Sequence, residues 1–154
     1  MAVMLSWRDS WQLGIDFLDD EHQEMVRLIN RLACCGRAPD GSTYSHDENS
    51  VSEKDNPAPL IQRLNALIDH LRKHFKREEE FLKSIGYPDY FSHKREHSVE
   101  MAEFIHMRRE IESRELMRLD ESTLQEIKDW FFNHVIAEER RIADYYFKEF
   151  KSVG

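Results

Sequence analysis

The chain is poor in cysteine: two residues in 154, Cys34 and Cys35, side by side. Neighbours on a helix point in different directions, so this pair cannot close a disulfide without distorting the backbone. It also lacks the spacing of a zinc-binding pair, which excludes a thiolate metal site. The two read as reduced thiols near a helix end, and a cytoplasmic location is expected from them. Long apolar runs are missing too, since none approaches the roughly 18–20 residues of a membrane span. Residues 1–5 are too short and uncharged to act as a secretory signal ahead of Trp7 and Arg8. Positive charge is in deficit, with 22 Lys and Arg against 30 Asp and Glu, a net charge of −8. That balance argues against nucleic acid and anionic membrane surfaces as partners. Neither a strand pattern nor an internal repeat is present.

What remains is a helical pattern. The length suits one domain, residues 1–154, with a core of its own. Residues 1–18 carry Trp7, Trp11, Leu13, Ile15 and Phe17 without a helical period, and read as an arm whose aromatics pack along the rest. The acidic run Asp19-Asp20-Glu21 reads as a helix start, with Asp19 as the cap. Behind it lies the stripe His22, Met25, Val26, Ile29 and Leu32, which Gly36 stops. Residues 36–58 have loop composition, including Pro39 and Pro57, and exceed the usual ~2–8 residues of a helix connection. His46 within them reads as solvated.

Pro59 suits the first turn of a second helix, whose stripe runs Leu60, Leu64, Leu67, Leu71, His74, Glu78, Phe81 and Ile85. Gly86 and the turn signal Tyr87-Pro88-Asp89 end it. A third helix, from about Tyr90 to Leu116, faces inwards with His93, His97, Met101, Phe104, Met107 and Ile111, leaving His106 outside. Asp120 or Ser122 caps a fourth, with Leu124, Ile127, Phe131, His134 and Ile142 inward. The prediction is an all-α, antiparallel up-down-up-down four-helix bundle. Charged exteriors on every helix predict a monomer.

The stripes contain residues that an ordinary core rejects. Burying an imidazole or carboxylate without a partner costs about 2–7 kcal/mol. Yet His22, His74, His93, His97 and His134, from all four helices, sit at inward positions, with Glu78 among them. Past His134 the pattern divides. Strict 3.6-residue periodicity favours Glu138, whereas Glu139 belongs to an adjacent row with Val135, Ile142 and Tyr146, and both carboxylates stay open on this reading. Five imidazoles and two carboxylates exceed the four ligands of a structural zinc site and suit two metal ions. Nitrogen and oxygen donors without thiolate favour iron or manganese over copper(I).

In order along the chain, Trp7, Gly14-Ile15, Asp19-x-x-His22, His74-Phe75-x-x-Glu78-Glu79, Tyr87-Pro88, His93-x-x-x-His97 and Trp130-x-x-x-His134 resemble the hemerythrin family, in particular its bacterial single-domain members. The resemblance implies two iron ions and reversible binding of dioxygen, for storage, delivery or sensing. It implies that His93, His97 and His134 hold one iron, that His22 and His74 hold the other, and that Glu78 bridges them. The second bridge in the family is an aspartate five residues after the fourth-helix histidine, a position that Glu139 fills here. The longer side chain raises an alternative, a di-iron oxidase or peroxidase using the same centre. Phe131 stands where the family has a leucine near the oxygen pocket, and is expected to fill core volume. Glu21 replaces a usual glutamine and is expected at the surface, Glu79 is expected to be solvated, and His70 is a candidate hydrogen-bond partner of a ligand.

Overall fold

A computed structural model describes residues 5–33 and 58–150 of the chain. Cys34, Cys35, His46 and the connection expected at 36–58, other than Ala58, lie outside the described residues. Four long helices account for most of the rest: α1 (Asp16–Ala33), α2 (Ala58–Ser84), α3 (Tyr90–Arg114) and α4 (residues 121–150). No strand occurs among the described residues, and no helix there is long and apolar enough to cross a membrane.

Cross-helix pairs give the directions. Between α1 and α2, Arg63 bonds the carbonyl of Arg31 while His70 bonds that of Glu21. Between α2 and α3, Arg108 bonds Asn65 while His97 bonds Glu79. Between α3 and α4, Phe104 meets Trp130 while His93 meets His134. In each case one residue number rises as the other falls, so successive helices are antiparallel and the predicted bundle is found. The helices bury the predicted leucines and isoleucines: Leu60, Leu64, Leu67 and Leu71 of α2 pack with Met25, Ile29 and Leu32 of α1 and with Ile127 and Phe131 of α4.

The helix ends follow backbone chemistry. Beyond α2, Gly86 takes a φ of +67°, and the Tyr87 and Gly86 N–H groups bond the carbonyls of Leu82 and Lys83. That double closure satisfies carbonyls the helix would leave bare, and glycine enters the left-handed region without a steric penalty. Of the two candidate caps for α4, Asp120 takes the role: its carboxylate accepts from the Thr123 N–H at 2.8 Å.

The start of α1 differs from expectation. The helix begins at Asp16, so Asp19 lies inside it and caps no helix. Its buried carboxylate reaches back to the arm, accepting from the Leu13 N–H at 2.7 Å and the Gly14 N–H at 3.0 Å. Acceptor geometry won over helix-start preference because the arm turns at Gly14, φ +88°, and presents two N–H groups to that carboxylate, which a buried backbone donor requires. The arm is fastened twice more. Asn30 exchanges two hydrogen bonds with the Leu5 backbone, and Arg140 of α4 donates to the carbonyls of Ser10 and Gln12. Trp11 and Trp7 pack edge to face at 5.6 Å, and Trp11 meets Phe131 at 5.5 Å. Phe131 is fully buried and fills core volume under the arm, as expected. Replacing Asp19 with Ala strands two backbone donors and is expected to lower the unfolding free energy of the metal-free protein by about 3 kcal/mol. Urea denaturation followed by circular dichroism measures it; an unchanged midpoint would show that the clasp contributes nothing.

Candidate metal centre

Each inward histidine arrives at the same level of the bundle because each helix places it on its buried stripe. His22 follows Leu18 on α1, His74 follows Leu71 on α2, His93 and His97 lie one turn apart on α3, and His134 follows Phe131 on α4. All five are buried, as are Glu78 and Glu139, and His74 and the two carboxylates have no exposure at all.

The backbone of α4 brings one of the two candidate carboxylates to the histidines. Residues Phe131–Glu138 form a π-helix, in which each N–H bonds the carbonyl five residues earlier. The Glu139 N–H accordingly bonds the carbonyl of His134. In an α-helix the residue stacked over His134 would be its fourth successor, Glu138. The widened turn brings its fifth, Glu139, onto the same face instead. Glu138 is left half-buried at the rim, paired with Arg141 at 3.6 Å. The 3.6-residue count favoured Glu138 because nothing in the letters announces the extra residue in that turn.

The two inward carboxylates straddle the centre. Glu78 Oε1 lies 2.6 Å from His93 Nε2 and 3.0 Å from His97 Nε2, and Glu78 Oε2 lies 3.7 Å from His74 Nε2. Glu139 Oε1 lies 2.6 Å from His22 Nε2, and Glu139 Oε2 lies 3.4 Å from His74 Nε2 and 3.5 Å from His134 Nε2. Two fully buried groups of closely spaced donors result: Glu78, His93, His97 and His134, and His22, His74, Glu78 and Glu139; a third, His93 with Glu96 and Glu138, lies at the rim. Glu78 belongs to both buried groups.

Three of the inner donor atoms, Glu78 Oε2, His97 Nε2 and His134 Nε2, are buried without a hydrogen-bond partner. Such atoms cost about 1–3 kcal/mol each unless something satisfies them. A cation in each group would do so, and the donor set of imidazole and carboxylate fits iron.

The comparisons with known proteins fall on this arrangement. The profile of the hemerythrin HHE cation binding domain matches residues 13–146. The chain belongs to the hemerythrin family. A bacteriohemerythrin of Clostridium acetobutylicum is 29% identical over 92% of this chain and 100% of its own length. One from Methylococcus capsulatus is 26% identical over 88% and 90%. The crystal structure of a wild-type hemerythrin superposes with a TM-score of 0.71 at 22% identity, covering 92% of this chain and 96% of that one, a likeness of fold. The two buried groups are consistent with the di-iron centre of the hemerythrin family.

Around the donors lies a ring of carboxylates that sequence reasoning placed in solvent or passed over. Glu21, expected at the surface, accepts from His74 Nδ1 at 2.7 Å and pairs with Arg77. Glu79, expected to be solvated, accepts from His97 Nδ1 at 2.6 Å. Glu100, which the stripe pattern passed over, lies 3.0 Å from His134 Nδ1. Each sits on one helix and serves a histidine of another, so only inter-helix register reveals the pairing. His70 bonds the carbonyl of Glu21 at 2.9 Å and touches no donor by hydrogen bond, so it props the segment that carries Glu21.

The carboxylates hold protons on the imidazoles when no cation is bound. Burial opposes charge on His74, but Glu139, Glu21 and Glu78 outweigh it and push its pKa up to about 10. For His134, burial is likewise outweighed, by Glu100, Glu139 and Glu78, and the value rises to about 9. Burial would raise Glu139, yet His22, Glu78 and His74 hold it well below the usual carboxylate range. A metal needs the neutral imidazole, so loading at neutral pH must expel protons. Adding ferrous iron anaerobically to weakly buffered metal-free protein at pH 7 is therefore expected to acidify the solution, read with an indicator dye; no release would contradict protonated His74 and His134. The stability of the metal-free protein follows the same groups. The raised histidines contribute fully below their free value of 6.5 and lose that contribution as pH rises towards 9–10. Glu139 contributes above its free value of 4.5 and loses it as pH falls. Its melting temperature is expected to peak between pH 4.5 and 6.5 and to decline on both sides.

Proposed function

We propose that this protein carries two iron ions and binds dioxygen reversibly, with His93, His97 and His134 holding one iron and His22 and His74 the other. Glu78 and Glu139 serve as the two bridges. The observation that carries the reading is the sharing of donors. Glu78 turns one oxygen towards the His93 and His97 side and the other towards His74, and Glu139 divides its oxygens between His22 and the pair His74 and His134.

Two iron ions there would supply two electrons and, on the two-histidine side, an open coordination position. The chain supplies the surroundings. The α3 side offers three imidazoles and the α1 side two, so the sides are unequal by construction. Leu71, Phe75, Phe131 and Val135 are buried beside the histidines and keep bulk water from the donors. Phe75 stacks on His97 at 4.0 Å with the rings 8° apart, and Trp130 is parallel to His134 at 5.8 Å, which fixes both ring planes. Donors walled by buried apolar side chains favour a small apolar gas that arrives and leaves over a polar substrate that must be held and turned.

Reversibility is tested by reducing the iron-loaded protein anaerobically, admitting oxygen, then removing it under argon while recording the visible spectrum. A charge-transfer band that rises and falls over repeated cycles is expected. Immediate irreversible oxidation, or turnover of peroxide with a reductant, would replace carriage with an enzymatic role. The ligand assignment is tested by paired substitutions. Glu139→Ala is expected to bind fewer than two irons per chain, and Glu138→Ala to keep two, by metal analysis after gel filtration. The reverse pattern would overturn the assignment of Glu139.

A further inference from the structure

Three of the five inner histidines are tied at their outer nitrogen to a carboxylate, and the ties are unequal. Glu21, on the two-histidine side, is also paired with Arg77, whose guanidinium offsets its charge. Glu79 and Glu100, both on the three-histidine side, have no ion pair with Lys or Arg among the described residues. Glu100 turns one oxygen to His134 Nδ1, and its other oxygen is buried without a hydrogen-bond partner. It lines a groove of about 550 Å³ between α3 and α4 together with His134, Glu96, Asn133 and Glu138. The remaining outer nitrogens lack such ties: His22 Nδ1 is buried without a partner, and His93 Nδ1 stands 4.0 Å from Glu96.

An imidazole that gives its N–H to a full negative charge becomes a stronger donor at its other nitrogen. A stronger donor, with negative charge just beyond it, stabilises the more highly charged ion. We propose that Glu79 and Glu100 are positioning residues that act through His97 and His134 to hold the three-histidine iron in the ferric state, so that the two irons differ in reduction potential. This rests on the di-iron reading above. The step concerned is Fe(III) + e⁻ → Fe(II), with the electron supplied by an external reductant. The two carboxylates oppose it on the three-histidine side, while Arg77 relieves the opposition on the other.

The test uses the full iron-loaded chain and a mediated reductive titration with dithionite, followed in the visible spectrum. Glu100→Gln and Glu79→Gln keep a carbonyl oxygen for the imidazole N–H and remove the charge. Each is expected to raise the ratio of reduced to oxidised iron at fixed potential by about tenfold, a shift of about 59 mV for a one-electron couple. Glu21→Gln is expected to move it less, because Arg77 already offsets that charge. Glu138→Gln, in the same groove and paired with Arg141 rather than hydrogen-bonded to a histidine, serves as control. Midpoints in both Gln variants equal to wild type, with two irons retained, would overturn the inference. So would an equal shift in the Glu138 control, which would mean a general field effect. Loss of iron in both Gln variants would overturn it too, reducing the carboxylates to props. If Glu100→Gln fails to fold, the more exposed Glu79→Gln carries the test. Wild-type protein with no redox-active iron would instead refute the di-iron reading, so the two failures are separable.

Discussion

Two carboxylates with no access to water are held among five imidazoles at the middle of this bundle, and the rest of the structure accommodates that concentration of charge. An unpaired ion in such surroundings costs several kcal/mol, and a paired one is tolerable only when its remaining lone pairs and protons are also met. Each helix therefore supplies at least two polar side chains at this level, Glu21 and His22 in the case of α1. The inner nitrogens address the two glutamates, and three outer nitrogens are matched by Glu21, Glu79 and Glu100 from neighbouring helices. The apolar layers above and below, from Leu60 to Leu71 and around Leu82 and Ile142, keep the histidines in register.

Much of this was legible in the letters. The stripe from Leu60 to Ile85 marks a helix, and its two intruders, His74 and Glu78, mark a site, because periodicity gives direction and burial gives cost. The same reasoning found His22, His93, His97 and His134. It went less far wherever the answer depended on the distance between helices. Glu21 and Glu79 read as surface residues on their own helices and Glu100 drew no notice, and only packing turns the three onto histidines. Asp19 followed the preference of an acidic residue for a helix start until the turn at Gly14 supplied it with better donors.

The carboxylate at 139 shows a different limit. Periodicity assumes 3.6 residues per turn throughout, and one wide turn is enough to defeat it. The resemblance to hemerythrins points to the fifth position after His134, and the backbone supplies a physical reason why that residue faces inwards: an amide of Glu139 bonded to the carbonyl of His134.

That wide turn also divides α4 into two halves that are out of phase. Before it, the inward row is Leu124, Ile127, Phe131 and His134; after it, Glu139, Ile142 and Ala143. No single straight line along an ideal helix joins the two rows. As far as Tyr145 the fourth helix thus behaves like a text with one character inserted, read correctly only by a backbone that absorbs the insertion at a fixed place. Removing one residue from the turn would swing the whole C-terminal half around its axis, taking Ile142 from its packing with Leu82 and Ile85 and Arg140 from its hold on the arm. The metal centre and the end of the bundle are in this sense locked to a single reading frame.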